Sequence, residues 1–132
     1  MKRTKIIIAI GTNKNQEENM SKAYEHLKGM FKNSLFGPRM WTEPIGLENS
    51  DKFLNQVMMG ETSCSMKAVL AALRCVEQKC GRRNRSCHRE KDIPLDLDLL
   101  LYGDEKLHES DWERDYIKSS ISYLEEQEAG RE

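Results

Sequence analysis

The sequence predicts an α+β domain, a ferredoxin-like β-α-β-β-α-β sandwich whose antiparallel sheet has its helices packed on one face. Three observations carry that prediction. Ile6-Ile7-Ile8-Ala9-Ile10 is a continuous, mostly β-branched run, the pattern of a strand buried on both faces. Two later segments repeat apolar residues at helical spacing, and each is followed by a break before the next extended segment. Leu95 to Tyr102 alternates leucine with aspartate before turning apolar, which suits a closing strand. The 132 residues allow one domain, 1–132, with a core over 5–103 and an acidic C-terminal extension over 104–132.

Taken in order, the first strand ends at Gly11. Met20, Ala23, Leu27, Met30 and Phe31 mark a helix over 16–32, with Glu17 and Glu18 where carboxylates favour a helix N-terminus. Gly37-Pro38 precedes a short extended piece, Arg39 to Thr42, and a loop around Pro44 and Gly46. Phe53 to Thr62 reads as a strand. Met66, Val69, Leu70, Leu73, Val76 and Cys80 define the second helix, capped by Ser63 or Ser65 and stopped by Gly81. Residues 82–92 are too polar for an element interior and form a loop, after which Pro94 opens the last strand and Gly103 ends it. In the extension, Ile117, Ile121 and Leu124 share one side of a helix, so a short helix packing on the body is expected. Glu125 to Glu132 has no apolar side chain but alanine and is expected to fray.

Apolar residues make up 38% of the chain, enough for a lean core, and the formal net charge of −1 argues against disorder. The charge is uneven. Residues 104–132 hold ten acids against four bases, and residues 1–103 hold twelve against seventeen. A basic body suits an anionic small molecule or nucleic acid, or is a solvated surface. No apolar run approaches the roughly 18 residues of a membrane span, and the first strand runs into polar Gly11-Thr12-Asn13, so neither an anchor nor a signal peptide is expected. Cys64, Cys75, Cys80 and Cys87 show no Cys-x-x-Cys pair and read as reduced thiols of a cytoplasmic protein.

The chemistry centres on Asp96 and Asp98. Side chains repeat every two residues along a strand, so both carboxylates project from one face, about 6.5–7 Å apart along the backbone. Hard cations such as Mg²⁺ take oxygen ligands of this kind, and a phosphate-bearing ligand would complete the coordination. Alternatively the pair faces solvent or is neutralised by Arg82 and Arg85. The preceding loop, residues 79–92, holds six bases against two acids. Arginine forks match phosphate oxygens, and a basic loop over a metal-bound polyphosphate is a recurrent arrangement in phosphoryl transfer. No aromatic lies in this loop, so the stacking platform of single-strand binders is missing and no nucleic-acid partner is expected.

These residues resemble the hydroxymethyl-dihydropterin pyrophosphokinases of folate biosynthesis over about residues 5–103. Gly11-Thr12-Asn13 is similar to that family's Gly-Ser-Asn turn, and Thr42-Glu43-Pro44-Ile45-Gly46 to its Thr-x-Pro-x-Gly pterin loop. Phe53-Leu54-Asn55 looks like its aromatic-Leu-Asn strand, Glu77 to Arg82 like its Glu-x-x-x-Gly-Arg helix end, and Leu95 to Asp98 like its Leu-Asp-Leu-Asp strand. The resemblance implies transfer of a pyrophosphoryl group from ATP to the hydroxymethyl oxygen of a reduced pterin, with two magnesium ions held by Asp96 and Asp98, in a cytoplasmic monomer. It implies that Arg82, Arg85 and Arg89 meet the nucleotide, Arg82 also serving catalysis with the two aspartates. Thr42, Pro44, Gly46, Phe53 and Asn55 would contact the pterin.

The chain also departs from the pattern. Before the paired aspartates the family carries Trp-x-x-Arg-Thr-Leu-Asp, where this sequence has Arg89-Glu90-Lys91-Asp92-Ile93-Pro94-Leu95-Asp96. Further on the family has a His-Pro and an Arg that reach the nucleotide, then an aromatic that caps the pterin. Glu109-Ser110-Asp111-Trp112 does not match them, and the chain reads as shortened at its C-terminus. Positioning is most of what such an enzyme contributes, so lost clamps imply weakened catalysis. The alternatives are a noncatalytic relative that binds nucleotide or pterin, and an interaction or nucleic-acid module on the same fold.

Overall fold

The computed structural model describes residues 2–43, 51–82 and 92–131. Its elements are β1 (Thr4–Thr12), α1 (Gln16–Met30), β2 (Lys32–Phe36), β3 (Met40–Thr42), β4 (Phe53–Thr62), α2 (Met66–Lys79), β5 (Asp96–Tyr102), β6 (Glu105–Lys106), a 3₁₀ turn (Glu109–Glu113) and α3 (Asp115–Gly130). The strands form an antiparallel sheet in the order β2-β4-β1-β5-β6, with β3 also paired to β4. Taking β2 and β3 as one edge strand broken at Gly37-Pro38, the β-α-β-β-α-β order is the expected one.

The β-branched run lies in the centre of the sheet and is buried on both faces. Ile6, Ile8 and Ile10 pack with Met20, Ala23 and Leu27 of α1, Val69, Leu73 and Val76 of α2, and Leu95, Leu97 and Leu99. Ile7 and Ala9 point the other way, into a second cluster with Val57, Met59, Leu100, Ile117 and Leu124. Thus α1 and α2 share one face as expected, and α3 covers the opposite face. A register shift between Ile7 and Ile8 leaves Leu100 without an opposite partner on β1, and Leu100 joins the α3 cluster.

Ser65 caps α2, its Oγ accepting from Ala68 N at 3.2 Å, and Gly81 turns the chain beyond the helix at φ +101°, where a side chain would be strained. The first helix ends earlier than its apolar spacing suggests, because residues 32–36 pair with β4, Leu35 opposite Met59 and Phe36 opposite Met58. The tail also differs from expectation. α3 runs to Gly130, tied down by Lys5 Nζ to Glu128 Oε1 at 3.1 Å and by Arg131 donating to the carbonyls of Asn33 and Ser34. Among the described residues Cys64, Cys75 and Cys80 are free thiols, and no helix is long and apolar enough to cross a membrane.

Candidate functional site

The sheet register sets up the site. Asn55 on β4 lies opposite Gly11 on β1, and Gly11 lies opposite Asp96 on β5, so the three form a row across the strands. The neighbouring row on the same face is Val57, Ala9 and Asp98. Small residues therefore occupy the middle strand between a polar amide on one side and two carboxylates on the other. This region floors a cleft of about 190 Å³ lined by Ala9, Gly11, Thr42, Glu43, Phe53, Asn55, Ile93, Asp96, Asp98, Asp111, Arg114 and Tyr116, with Ile10 also at its wall.

The orientation of Asn55 follows from its neighbours. Its Nδ2 donates to Thr42 Oγ1 at 2.8 Å, Met40 O at 3.1 Å and Phe53 O at 3.4 Å. With the amino group directed at protein acceptors, Oδ1 faces Gly11 as an acceptor, and a Cβ placed on Gly11 would lie 3.4 Å from it. A ligand meeting this oxygen must bring an N–H or O–H donor.

At the other wall, Arg82 Nη1 donates to Asp96 Oδ1 at 2.8 Å and to Leu95 O at 3.1 Å, and lies 3.5 Å from Glu77 Oε2. Glu77 is buried because it has a backbone partner: its Oε2 accepts from Leu97 N at 2.7 Å, on the side of β5 away from β1. Asn13 braces the approach to β5, its N donating to Ile93 O at 3.0 Å and its Oδ1 accepting from Ile93 N at 2.6 Å. Sequence and register thus deliver Asp96 and Asp98 to the cleft on a strand held from both sides.

α3 and the turn before it supply the roof. The guanidinium carbon of Arg114 stacks 4.6 Å from the Tyr116 ring centroid, with Nη1 3.4 Å from the Tyr116 hydroxyl. Burial raises the Tyr116 pKa; Arg114 works against that shift, while Asp111, Asp98 and Asp96 add to it. His108 Nε2 lies 3.9 Å from Asp98 Oδ1, and His108 holds a left-handed φ of 52°.

The structure thus brings Thr42, Phe53, Asn55, Asp96 and Asp98 to one cleft. Arg82 stands behind it, bound to Asp96. Pro44, Gly46, Arg85, Arg89 and Cys87 lie outside the described residues. Beyond Gly103, His108, Arg114 and Tyr116 follow one another in the order His, Arg, aromatic, and the last two line the cleft. The signal that would have found them is an arginine two residues before an aromatic, at the start of the apolar helix face Ile117, Ile121 and Leu124.

The residues present fit magnesium arriving with a polyphosphate. Mg²⁺ binds through one or two carboxylates and keeps waters or phosphate oxygens for its other positions. Asp96 and Asp98 supply such a pair, and among the described residues no group of three or more acidic, histidine or cysteine side chains could hold an ion.

Fold and cleft together define an α+β sandwich protein with a carboxylate-walled cleft on one face of its sheet. The chain belongs to the 7,8-dihydro-6-hydroxymethylpterin-pyrophosphokinase (HPPK) family, whose model matches residues 7–126, including the turn and most of the helix beyond residue 103. It is similar to a folate synthesis bifunctional protein of Arabidopsis thaliana, with 29% identity over 126 residues covering 88% of this chain and 26% of that protein. It is also similar to the 2-amino-4-hydroxy-6-hydroxymethyldihydropteridine pyrophosphokinase of Porphyromonas gingivalis, with 26% identity over 129 residues covering 89% of this chain and 88% of that one. The Aquifex aeolicus protein of the same name shares 38% identity over 60 residues, 46% of this chain and 36% of that protein. The chain spans about a quarter of the length of the plant bifunctional relatives it matches.

Proposed function

We propose that the protein transfers the pyrophosphoryl group of ATP to the hydroxymethyl oxygen of 6-hydroxymethyl-7,8-dihydropterin, in a magnesium-dependent step of folate biosynthesis. The observation that carries this reading is the row Asn55–Gly11–Asp96, which sets a hydrogen-bond acceptor for a heterocycle edge opposite a carboxylate suited to metal-bound phosphate. In the step, the hydroxymethyl oxygen bonds to the β-phosphorus, the bond from that phosphorus to the α-phosphate oxygen breaks, AMP leaves and the hydroxyl proton is released. Such transfer depends on alignment and charge stabilisation more than on covalent chemistry.

Asn55 Oδ1 accepts from the pterin's amino edge, and Phe53 and Tyr116 contact its ring. Asp96 and Asp98 would hold two magnesium ions, which when bound with ATP neutralise charge on the phosphate oxygens. Arg114 on the cleft wall and His108 beside Asp98 would meet the phosphates from the roof. Arg82 acts by orienting Asp96, and Thr42 fixes the Asn55 amide. Part of the clamping that the sequence appeared to lack is therefore supplied by α3 and the turn before it.

The test is a product assay with ATP, magnesium and the reduced pterin. Formation of AMP and pyrophosphoryl-pterin supports the proposal, and tight ATP binding with no AMP released over hours replaces it with a noncatalytic nucleotide-binding relative.

A further inference from the structure

Gln56 on β4 is a buried polar residue, 7% exposed, on the face of the sheet away from the cleft. It lies opposite Ile10, and its same-face neighbours Leu54 and Met58 pack in the cluster with α1 and α2. Nε2 donates to Gly37 O at 2.8 Å, while among the described residues Oε1 has no partner. The amide cannot be turned round, because an oxygen facing the Gly37 carbonyl would leave both acceptors unpaired. An orphaned buried acceptor costs stability, and an apolar side chain would fill this place without that cost. The reason for a glutamine here is therefore its one hydrogen bond.

Gly37 stands at the break between β2 and β3. Phe36 is opposite Met58 and Met40 is opposite Asn55, so the stretch from Gly37 to Arg39 faces only Gln56 and Val57, and one extra residue is accommodated there. Gly37 N donates to Val57 O at 2.8 Å and Gly37 O accepts from Gln56, so both polar groups of its backbone are tied to β4. Pro38 has no N–H to add a further tie. The break decides the register in which β3 resumes. Met40 and Thr42 come to the cleft face, where Met40 O and Thr42 Oγ1 accept from Asn55 Nδ2, and Trp41 goes to the other face, 54% exposed. A slip of one residue would exchange those faces and take the Thr42 hydroxyl away from Asn55.

We propose that Gln56 is a positioning residue for pterin binding. Its bond to Gly37 O fixes where the extra residue sits, hence the register of β3, and hence the direction in which Asn55 Oδ1 is presented to the ligand. The inference rests on the pterin reading and deepens it. Gln56 acts from the far side of the sheet, through Gly37 and β3, and is not itself part of the cleft wall.

The experiment compares the wild type with Gln56→Met, which keeps the length of the side chain without its donor, and with Gln56→Asn, whose amide is one methylene too short to reach Gly37 O. Val69→Ala is the control in the same cluster on α2, where Val69 is 2% exposed. Calorimetry reads the affinity for 6-hydroxymethylpterin in the presence of magnesium and a non-transferable ATP analogue, and separately the affinity for the analogue. Both Gln56 variants should weaken pterin binding by about five- to tenfold, the worth of one well-aligned hydrogen bond, and leave the analogue within about twofold. Val69→Ala should melt at a lower temperature yet bind pterin within about twofold of the wild type, which separates positioning from lost stability. Thr42→Val, which removes an acceptor that Gln56 places, supplies the decisive comparison. If the two residues act along one path, the variant carrying both Thr42→Val and Gln56→Met should lose no more than about the larger single loss, whereas independent effects multiply. Multiplied losses overturn the inference and leave the pterin reading standing. So does unaltered pterin affinity in either Gln56 variant, or an equal loss of both ligands. If neither Gln56 variant folds, the amide serves the fold as a whole and the inference is overturned too. A wild-type protein that binds the analogue but no pterin overturns the reading and the inference together.

Discussion

Arg82 Nη1 donates to Asp96 Oδ1 at 2.8 Å, so the arginine that the sequence suggests for phosphate is bound to one of the two carboxylates suited to magnesium. The same nitrogen lies 3.5 Å from the buried Glu77, and one guanidinium thereby ties the last turn of α2 to the first residue of β5. Removing a cation shared by two acids, one of them buried, is costly. Arg82→Ala should lower the unfolding free energy by about 3 kcal/mol, with Arg82→Lys recovering part of the loss because lysine keeps the charge but not the fork. Urea unfolding measures it. Unchanged stability together with weakened ATP binding would return Arg82 to the role of an open phosphate contact.

Asp96 and Asp98 should both be needed for the metal. Both Asp98→Asn and Asp96→Asn should abolish the magnesium dependence of ATP binding, because each leaves too few oxygen ligands for the ion. Asp96→Asn should also reduce stability, by about 1–3 kcal/mol, since it weakens the charge-assisted bond to Arg82. Calorimetric titrations of ATP with and without magnesium provide the readout, and equal wild-type affinity in both would remove the metal role.

Much of this arrangement is legible in the sequence, for identifiable reasons. Ile6 to Ile10, the α2 apolar stripe and Leu95 to Asp98 each satisfy one periodicity over a full element, and their burial follows it. Lys32 to Phe36 carries no such pattern; its strand exists because β4 offers an edge, which is a tertiary cause. α3 is legible as a helix from Ile117, Ile121 and Leu124, whereas the face of the sheet that it covers is set by tertiary packing. His108, Arg114 and Tyr116 were obscured because their meaning depends on where α3 docks. The spacing of Asp96 and Asp98 gave a shared face at once, whereas the engagement of Asp96 by Arg82 required the helix end and the strand to be placed in space.

The Tyr116 hydroxyl gives a pH signature. Burial raises its pKa above the usual 10.0, Arg114 opposes the shift, and Asp111, Asp98 and Asp96 reinforce it. The folded protein therefore holds this proton more tightly than the unfolded chain does. The associated stability is complete below about pH 10, and declines as the pH rises from there through the folded value. Wild-type stability should fall more steeply above pH 10 than that of Tyr116→Phe, as measured by urea unfolding across alkaline pH. Parallel curves would show that the hydroxyl makes no such contribution.

The final prediction separates the ring that contacts the ligand from the residue that holds that ring in place. Tyr116 lines the cleft, and its neighbour Ile117 points away into the cluster formed with Ile7, Ala9, Val57, Met59, Leu100 and Leu124. Stacking of a heterocycle on an aromatic ring contributes about 1–3 kcal/mol, so Tyr116→Ala should weaken pterin binding by roughly one to two decades. It should do so with modest loss of stability, because Tyr116 is only partly buried. Ile117→Ala should act in the opposite proportion. Ile117 is 0% exposed, and its truncation should destabilise the fold by about 2–5 kcal/mol through lost transfer energy and the cavity left behind. Below its melting point, however, the Ile117→Ala protein should bind pterin more tightly than Tyr116→Ala, because the ring is retained even on a loosened helix. Chemical denaturation and pterin titration on the same two variants resolve the two contributions. If Tyr116→Ala bound pterin as the wild type does, α3 would be a cover for the sheet's second face and not a wall of the ligand site.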